Sequence, residues 1–269
     1  MNKILLIGCG HMGSALLQAW LHQKNIYFDV VDPLNYKKIN KKKYNKVKAY
    51  KSLLDIQNIS SIDIVIFAIK PQITSLVLKE LSLFNFNKKT IFVSIVAGIQ
   101  ISLFNKFLKK NNQFIRVMPN MPALVNKGMS CLVANKTVTA KNRNKINSLF
   151  LKVGKTLWLN KEKDINIVTA ISGSGPGYVF FIIDALEKAA NKLGLGEEVS
   201  KKMIFQTFLG SLKLQKQTKH SAYKLSKTIA IKGGTTEAGL NVMKKKNIHK
   251  IFSDALLSAY KQAKKLGKK

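Results

Sequence analysis

Arginine is nearly missing from this chain. Of its 46 basic residues only Arg116 and Arg143 are arginine; the rest are lysines scattered along all 269 positions. Proteins that read base edges rely on the two-pronged guanidinium, and those that stack bases interleave aromatic rings with their cations. Neither pattern occurs, so nucleic acid is disfavoured as the primary partner despite a formal net charge of +33. A lysine- and asparagine-rich composition explains that charge, with loose attraction to polyanions as its consequence. Cysteine is equally scarce. Cys9 and Cys131 have no metal-ligand spacing with the four histidines, which excludes a disulfide framework and points to a reducing compartment. No apolar run reaches about 18 residues, so no membrane span is expected. No signal-peptide pattern precedes the first apolar run, and the expected location is cytoplasmic. Internal repeats are also lacking.

Hydrophobic residues make up 46% of the chain and the mean hydropathy is near zero, as in a globular protein with room for two cored domains. Residues 3–7 form a short apolar run suited to a buried parallel strand. Gly8-Cys9-Gly10-His11-Met12-Gly13 follows at once, then a helical pattern over 15–21, a second strand over 28–31, and Asp32 at its end. Strand, glycine turn, helix, strand and acid, in that order, are the context a dinucleotide-binding fingerprint requires. Gly8 suits the tight turn, Gly10 the close approach of a pyrophosphate, and Gly13 the packing of helix on strand. Asp32 can accept from a ribose 2′-OH and so favours NAD; Lys37, Lys38 and Lys41 pull toward NADP, and both coenzymes stay open. The lysine-rich stretch 35–51 reads as a solvated loop.

Further strands are expected over 62–69, 90–95, 114–118, 129–134 and 156–159, with a helix over 141–153. Lys70 and Pro71 close the first of these strands, where α/β sheets bind ligands. The alternation predicts an α/β fold: an N-terminal Rossmann domain with a doubly wound, mostly parallel sheet, over residues 1–160, followed by an all-α domain over 161–269. Helices are expected over 164–171, 176–193, 197–217 and 247–266. The second is apolar nearly all round in its first two turns and needs cover on every side, which implies another subunit.

Two glycine-rich stretches punctuate the helical half. Ser172-Gly173-Ser174-Gly175-Pro176-Gly177-Tyr178 reads as a bare turn opening a helix, with Pro176 in its first turn. It is either a hinge or an anion site built on free N–H groups. Gly233-Gly234-Thr235-Thr236 reads as another helix start, its hydroxyls capping the helix or bonding a polar ligand.

Together these stretches resemble pyrroline-5-carboxylate reductase over nearly the whole chain. The resemblance includes the glycine turn, Ala68-Ile69-Lys70-Pro71, residues 116–122, Phe150 with Gly154, residues 169–180, and the double-glycine, double-threonine run. It implies hydride transfer from NADPH or NADH to the C=N bond of 1-pyrroline-5-carboxylate, giving L-proline. It also implies a helical domain that dimerises by interlocking, with dimers assembling further, often to decamers (a pentamer of dimers). Carried over by position, Ile7, Gly8, Cys9, Gly10, His11 and Met12, with Gly13 and Asp32 of the fingerprint, belong to the cofactor site. Ala68, Ile69, Lys70, Pro71, Ala97 and Thr228 join them. Gly234, Thr235 and Thr236 would hold the substrate carboxylate and ring nitrogen, with Glu162, Ser172, Ser174 and Gly175 alongside. Thr236 is the catalytic candidate, its hydroxyl bonding the ring nitrogen. Three departures stand out: Ala230-Ile231-Lys232 replaces the usual Thr or Ser, Ser and Pro, Met121 a threonine, and His11 an asparagine. The alternatives are another imine or β-hydroxyacid reductase, for which Lys188 and Asn191 are the candidates, and a catalytically weakened polyanion-binding relative.

Overall fold

The short apolar runs become the strands of one sheet. Along the chain they are β1 (Asn2–Ile7), β2 (Ile26–Val31), β3 (Val47–Tyr50), β4 (Ile64–Phe67), β5 (Ile91–Ser94), β6 (Gln113–Met118), β7 (Gly128–Ala134) and β8 (Gly154–Trp158). The structure, a computed structural model, describes residues 2–108 and 112–267. The spatial order is 3-2-1-4-5-6-7-8. The first six strands pair parallel, β7 runs antiparallel to β6, and β8 runs parallel to β7.

Central strands bury both faces, and period-two alternation divides their side chains between two cores. Ile4 and Leu6 join Trp20, Phe28 and Phe150 in one; Leu5 and Ile7 join Phe67, Phe92 and Phe104 in the other. Two cores need helices on both faces of the sheet. These are α1 (His11–Leu21), α2 (Tyr36–Lys41), α3 (Thr74–Leu81), α4 (Ile101–Phe107) and α5 (Ala140–Phe150). α1, α2 and α5 cover the first core, α3 and α4 the second. Trp20 is fully buried, and its indole N–H donates to the Leu149 carbonyl at 2.8 Å. That bond ties the first helix to the fifth without leaving a buried donor unpaired.

Residues 35–51 are not a solvated loop. They form α2 and the edge strand β3, which pairs with β2. Their lysines hid the pattern, because only one face of this edge is buried. Ile39 and Ala49 face the core. The Asn40 side chain both donates to Ala49 O (2.8 Å) and accepts from Ala49 N (3.0 Å), pinning the short strand to its helix. Short, lysine-bearing edge strands also resist pairing with other chains.

After Trp158 the described residues contain only helices and turns. These are α6 (Asp164–Val168), a single π-helical turn (Thr169–Gly173), α7 (Gly175–Lys192), α8 (Glu197–Thr218), α9 (Ala222–Ile229), α10 (Thr235–Lys245) and α11 (Ile248–Leu266). The chain divides into two compact units, Met1–Ser174 with Ala259–Lys269, and Gly175–Ser258. Composition shifts near residue 160, but α6 and the π turn belong to the first unit, with Ile165 and Ala170 buried.

In the second unit α7 and α8 leave much apolar surface open, including Phe180, Phe181, Met203, Phe205, Leu209 and Leu212. Isolated exposed leucines need no explanation, but a contiguous set marks an interaction surface. The continuous helical stretch Asp164–Lys192 is long and apolar enough to cross a membrane by length and composition alone. It differs from the uninterrupted run sought in the sequence because a span tolerates a few polar residues among the apolar ones.

Candidate active site

The glycine turn sits where the strand order reverses, between β1 and its neighbours β2 and β4. Gly8 has φ +91, and a Cβ there would lie 2.5 Å from the Ala68 carbonyl oxygen. Only glycine meets both demands. Gly13 packs its backbone against the Gly8 carbonyl, where a Cβ would come within 2.4 Å. Gly10 instead faces open space, with nothing within 4 Å of a built Cβ. The N–H groups of His11, Met12 and Gly13 fall in the first turn of α1, where a helix has no internal acceptor for them; no acidic side chain occupies that turn. An open backbone with orphan donors fits a pyrophosphate. Ala68 N donates to Ile7 O at 2.8 Å, and Ala68, Ile69, Lys70 and Pro71 follow β4 directly. Ala97 follows β5. The structure thus gathers Ile7–Gly13, Ala68–Pro71 and Ala97 at the carboxyl ends of three adjacent strands. A cavity of about 530 Å³ lies at the opposite ends of the strands around Asn2, Lys3, Asp29 and Asp63, away from this turn.

Asp32 is buried and fully occupied. Its Oδ2 accepts from Cys9 N (2.7 Å) and Asn35 Nδ2 (3.1 Å); its Oδ1 accepts from Leu34 N and Asn35 N, both at 2.9 Å. Burial pushes the Asp32 carboxyl up, but these bonds outweigh it and hold it below the usual carboxylate value. A depressed carboxylate is charged throughout the neutral range, so its contribution is lost only on acidification through that lowered value. Cys9 moves the other way. Burial, helped by the Asp32 charge, pushes its thiol up to about 11, so it is no nucleophile at neutral pH.

On β6, Arg116 is almost wholly buried and donates from Nη1 to Glu162 Oε1 at 2.8 Å. The same oxygen accepts from Ile101 N at 2.8 Å. Burial works against the Arg116 charge and Glu162 supports it. Glu162, carried over as a neighbour of the substrate, is in this structure the counter-ion of Arg116. Glu162→Ala leaves a buried cation uncompensated and is expected to cost about 3 kcal/mol of stability. Urea unfolding checks this; Glu162→Gln, which keeps an acceptor, should lose less than half as much.

The Ser172–Tyr178 stretch holds the start of α7, at Gly175, but not a bare turn before it. The helical path runs through it by way of the π turn, where Ser174 N donates to Thr169 O at 2.8 Å. Pro176 has no N–H to give the carbonyl four residues back, Ser172 O. That carbonyl accepts instead from Asn120 Nδ2 at 2.9 Å, and Asn120 Oδ1 accepts from Met129 N at 2.8 Å. Asn120 therefore holds the helix at the position where Pro176 removes a bond. In the sequence Asn120 stands only within a proline-flanked run; the carbonyl four residues before Pro176 is the signal for its role. The Ser172 hydroxyl donates to Val168 O at 2.9 Å.

In the second unit, Gly234 N donates to Ile231 O at 3.0 Å and Gly233 has φ +76. This is a type II turn with Lys232 at its second position, where proline is favoured but not required. The departure from proline leaves the turn intact. Gly234 caps α10 without any side-chain bond, so the threonine hydroxyls are not caps. Glu237 reaches back to accept from Gly233 N at 2.8 Å. Thr235 and Thr236 stand in the first turn of α10, hydroxyls and first-turn N–H groups together. Thr228, on α9, donates to Lys224 O at 3.0 Å. Lys188 pairs with Asp184 at 2.7 Å on the surface, and Asn191 accepts from Ser200 at 2.9 Å. Both residues needed by the β-hydroxyacid alternative are thus engaged in helix-surface contacts.

A Rossmann-type sheet with an open glycine turn, joined to a helical unit with apolar faces, defines a dinucleotide-dependent oxidoreductase. Residues 3–98 match the family described as NADP oxidoreductase, coenzyme F420-dependent, and residues 162–266 match pyrroline-5-carboxylate reductase dimerisation. The pyrroline-5-carboxylate reductase of Pasteurella multocida is 31% identical over 99% of this chain and 98% of its own length. A solved reductase from Coxiella burnetii superposes with a TM-score of 0.87 at 31% identity, covering 100% of this chain and 99% of that one. The Plasmodium falciparum reductase, solved with NADP bound, gives 0.87 at 30% identity, over 99% and 98%. The chain belongs to the pyrroline-5-carboxylate reductase family. It is an NAD(P)H-dependent oxidoreductase that reduces 1-pyrroline-5-carboxylate to proline, and it forms homo-oligomers through its helical half.

Proposed function

We propose that the work of reduction is divided between the two units. The first takes the coenzyme: the first-turn N–H groups of α1 hold the pyrophosphate, Gly10 gives it room, and Ala68–Pro71 with Ala97 border the rest. When bound, NAD(P)H supplies the hydride. The second unit serves the substrate. The first-turn N–H groups of Thr235 and Thr236, next to Gly234, take its carboxylate, and the Thr236 hydroxyl bonds the ring nitrogen. A protonated imine is already electrophilic, so these groups need only bind, orient and exclude water. The observation that carries this reading is the pair of glycine-capped helix starts, at Gly10 and Gly234, neither cap making a side-chain bond; at the second, the Glu237 carboxylate is held on Gly233 N. Ser174, Gly175, Glu162 and Thr228 complete the proposed surroundings. We place residues 1–160 and 161–269 as the functional domains, and the enzyme in the cytoplasm.

The assembly we propose is a dimer built on α7 and α8, and a decamer of five such dimers. Phe180→Lys with Phe181→Lys should convert it to smaller species in sedimentation velocity. A double variant with unchanged mass would remove α7 from the interface. The chemistry is tested by following NADPH oxidation with 1-pyrroline-5-carboxylate: one proline should form per nucleotide oxidised.

A further inference from the structure

The end of the chain returns to the sheet. α11 runs out of the second unit at Ser258, and from Ala259 onward the chain belongs to the first. Ala263 is buried there. The helix ends against the loop that follows β5, at Gly98. That glycine has φ +79, and a Cβ built on it would lie 2.6 Å from the Leu266 Cβ and 2.8 Å from Gly267 N. A Cβ built on Gly267 would in turn strike the Gly98 carbonyl oxygen. Backbone meets backbone, and Gly98 is required both by its dihedral and by the close approach. A glycine that merely stops a helix needs no partner; Gly267 has one.

The tip of this loop has little else to hold it. Ile95 N donates to Phe67 O at 3.0 Å and Val96 N to Ser94 Oγ at 3.2 Å. Beyond the tip, Ile101 N is held by Glu162. Val96 and Ile99 are buried in the second core. Between them, among the described residues, no hydrogen bond reaches the backbone of Ala97 or Gly98. Ala97 is half-buried and is this loop's contribution to the coenzyme site proposed above. Its conformation is set by contact with the end of α11.

We propose that Leu266 and Gly267 are positioning residues for the coenzyme: the last turn of α11 fixes Ala97 and Gly98 in the conformation that receives NAD(P)H. This rests on the coenzyme binding at the glycine turn and Ala97. A loop fixed in advance need not be ordered on binding, so nucleotide affinity, and not stability alone, depends on the end of the chain.

Two measurements on the full-length protein test it. Gly267→Ala adds a methyl against the Gly98 carbonyl and should weaken NADPH about tenfold in a fluorescence titration, at a temperature where the variant is fully folded. In wild type, saturating NADPH should slow hydrogen exchange over Ala263–Gly267, because coupling between two sites is reciprocal, and slow it more there than over the last turn of α8. A merely structural contact would lower the melting temperature of Gly267→Ala and leave NADPH affinity within about twofold; that result overturns the inference. So does unchanged exchange at the end of α11 in wild type, which decides alone if the variant does not fold. Gly10→Ala, titrated alongside, distinguishes the failures. If it weakens NADPH while Gly267→Ala does not, the positioning role falls alone; if neither does, the coenzyme site falls with it.

Discussion

Gly8→Ala is expected to abolish coenzyme binding and to lower the melting temperature at once. The added methyl meets the Ala68 carbonyl oxygen at 2.5 Å, backbone against backbone, in a residue at φ +91. Neither side of that contact is a flexible side chain. The strained conformation alone costs about 1–3 kcal/mol, so the turn must move away from β4. The Cys9 N–H then loses its geometry on Asp32, and the orphan donors of α1 shift with it. NADPH affinity should fall at least about 100-fold. Gly10→Ala is the informative control. Its methyl enters open space, so the fold should keep its melting temperature while the methyl obstructs the pyrophosphate. Isothermal titration and calorimetry on both variants separate the two effects. Equal, small losses in both would mean that the turn is not the coenzyme cradle.

Thr236→Val should give the largest loss of turnover with the least loss of structure. Valine matches threonine in shape, and Gly234, not a threonine hydroxyl, caps α10. The helix therefore does not need the oxygen. If the hydroxyl bonds the ring nitrogen during transfer, removing it should lower kcat about 100-fold. The dissociation constant for NADPH should stay unchanged. Thr236→Ser should restore most of the rate. A kcat within twofold of wild type for the valine variant would remove Thr236 from the chemistry and shift attention to Thr235 and the backbone donors.

The departures at residues 230–232 bear on stability more than on geometry. Lys232 occupies a turn position that proline would pre-set, so its cost falls on the entropy of the unfolded chain, about 0.4–1 kcal/mol. The lost hydroxyls at Ala230 and Ile231 leave no unpaired polar group behind them.

What the residues determined by themselves was local. The alternation of Ile4, Leu5, Leu6 and Ile7 specified a strand buried on both faces, and hence a sheet wrapped by helices. The glycines at 8, 10 and 13, followed by an acid after the next strand, specified a dinucleotide turn. Motif order specified the family. Residues 35–51 escaped because their lysines masked a half-buried helix and an edge strand held by pairing with β2. Tertiary structure alone decided which partner each polar atom took. Asp32 reads as a ribose acceptor until Cys9, brought from another turn, fills it. Ser172–Tyr178 reads as a bare turn until a π turn carries the chain into α7 and Asn120 takes up the Ser172 carbonyl that Pro176 leaves without its helical donor. A pattern of residue types encodes backbone conformation and burial. Whether a lone pair is free for a ligand depends on which distant segments fold against it.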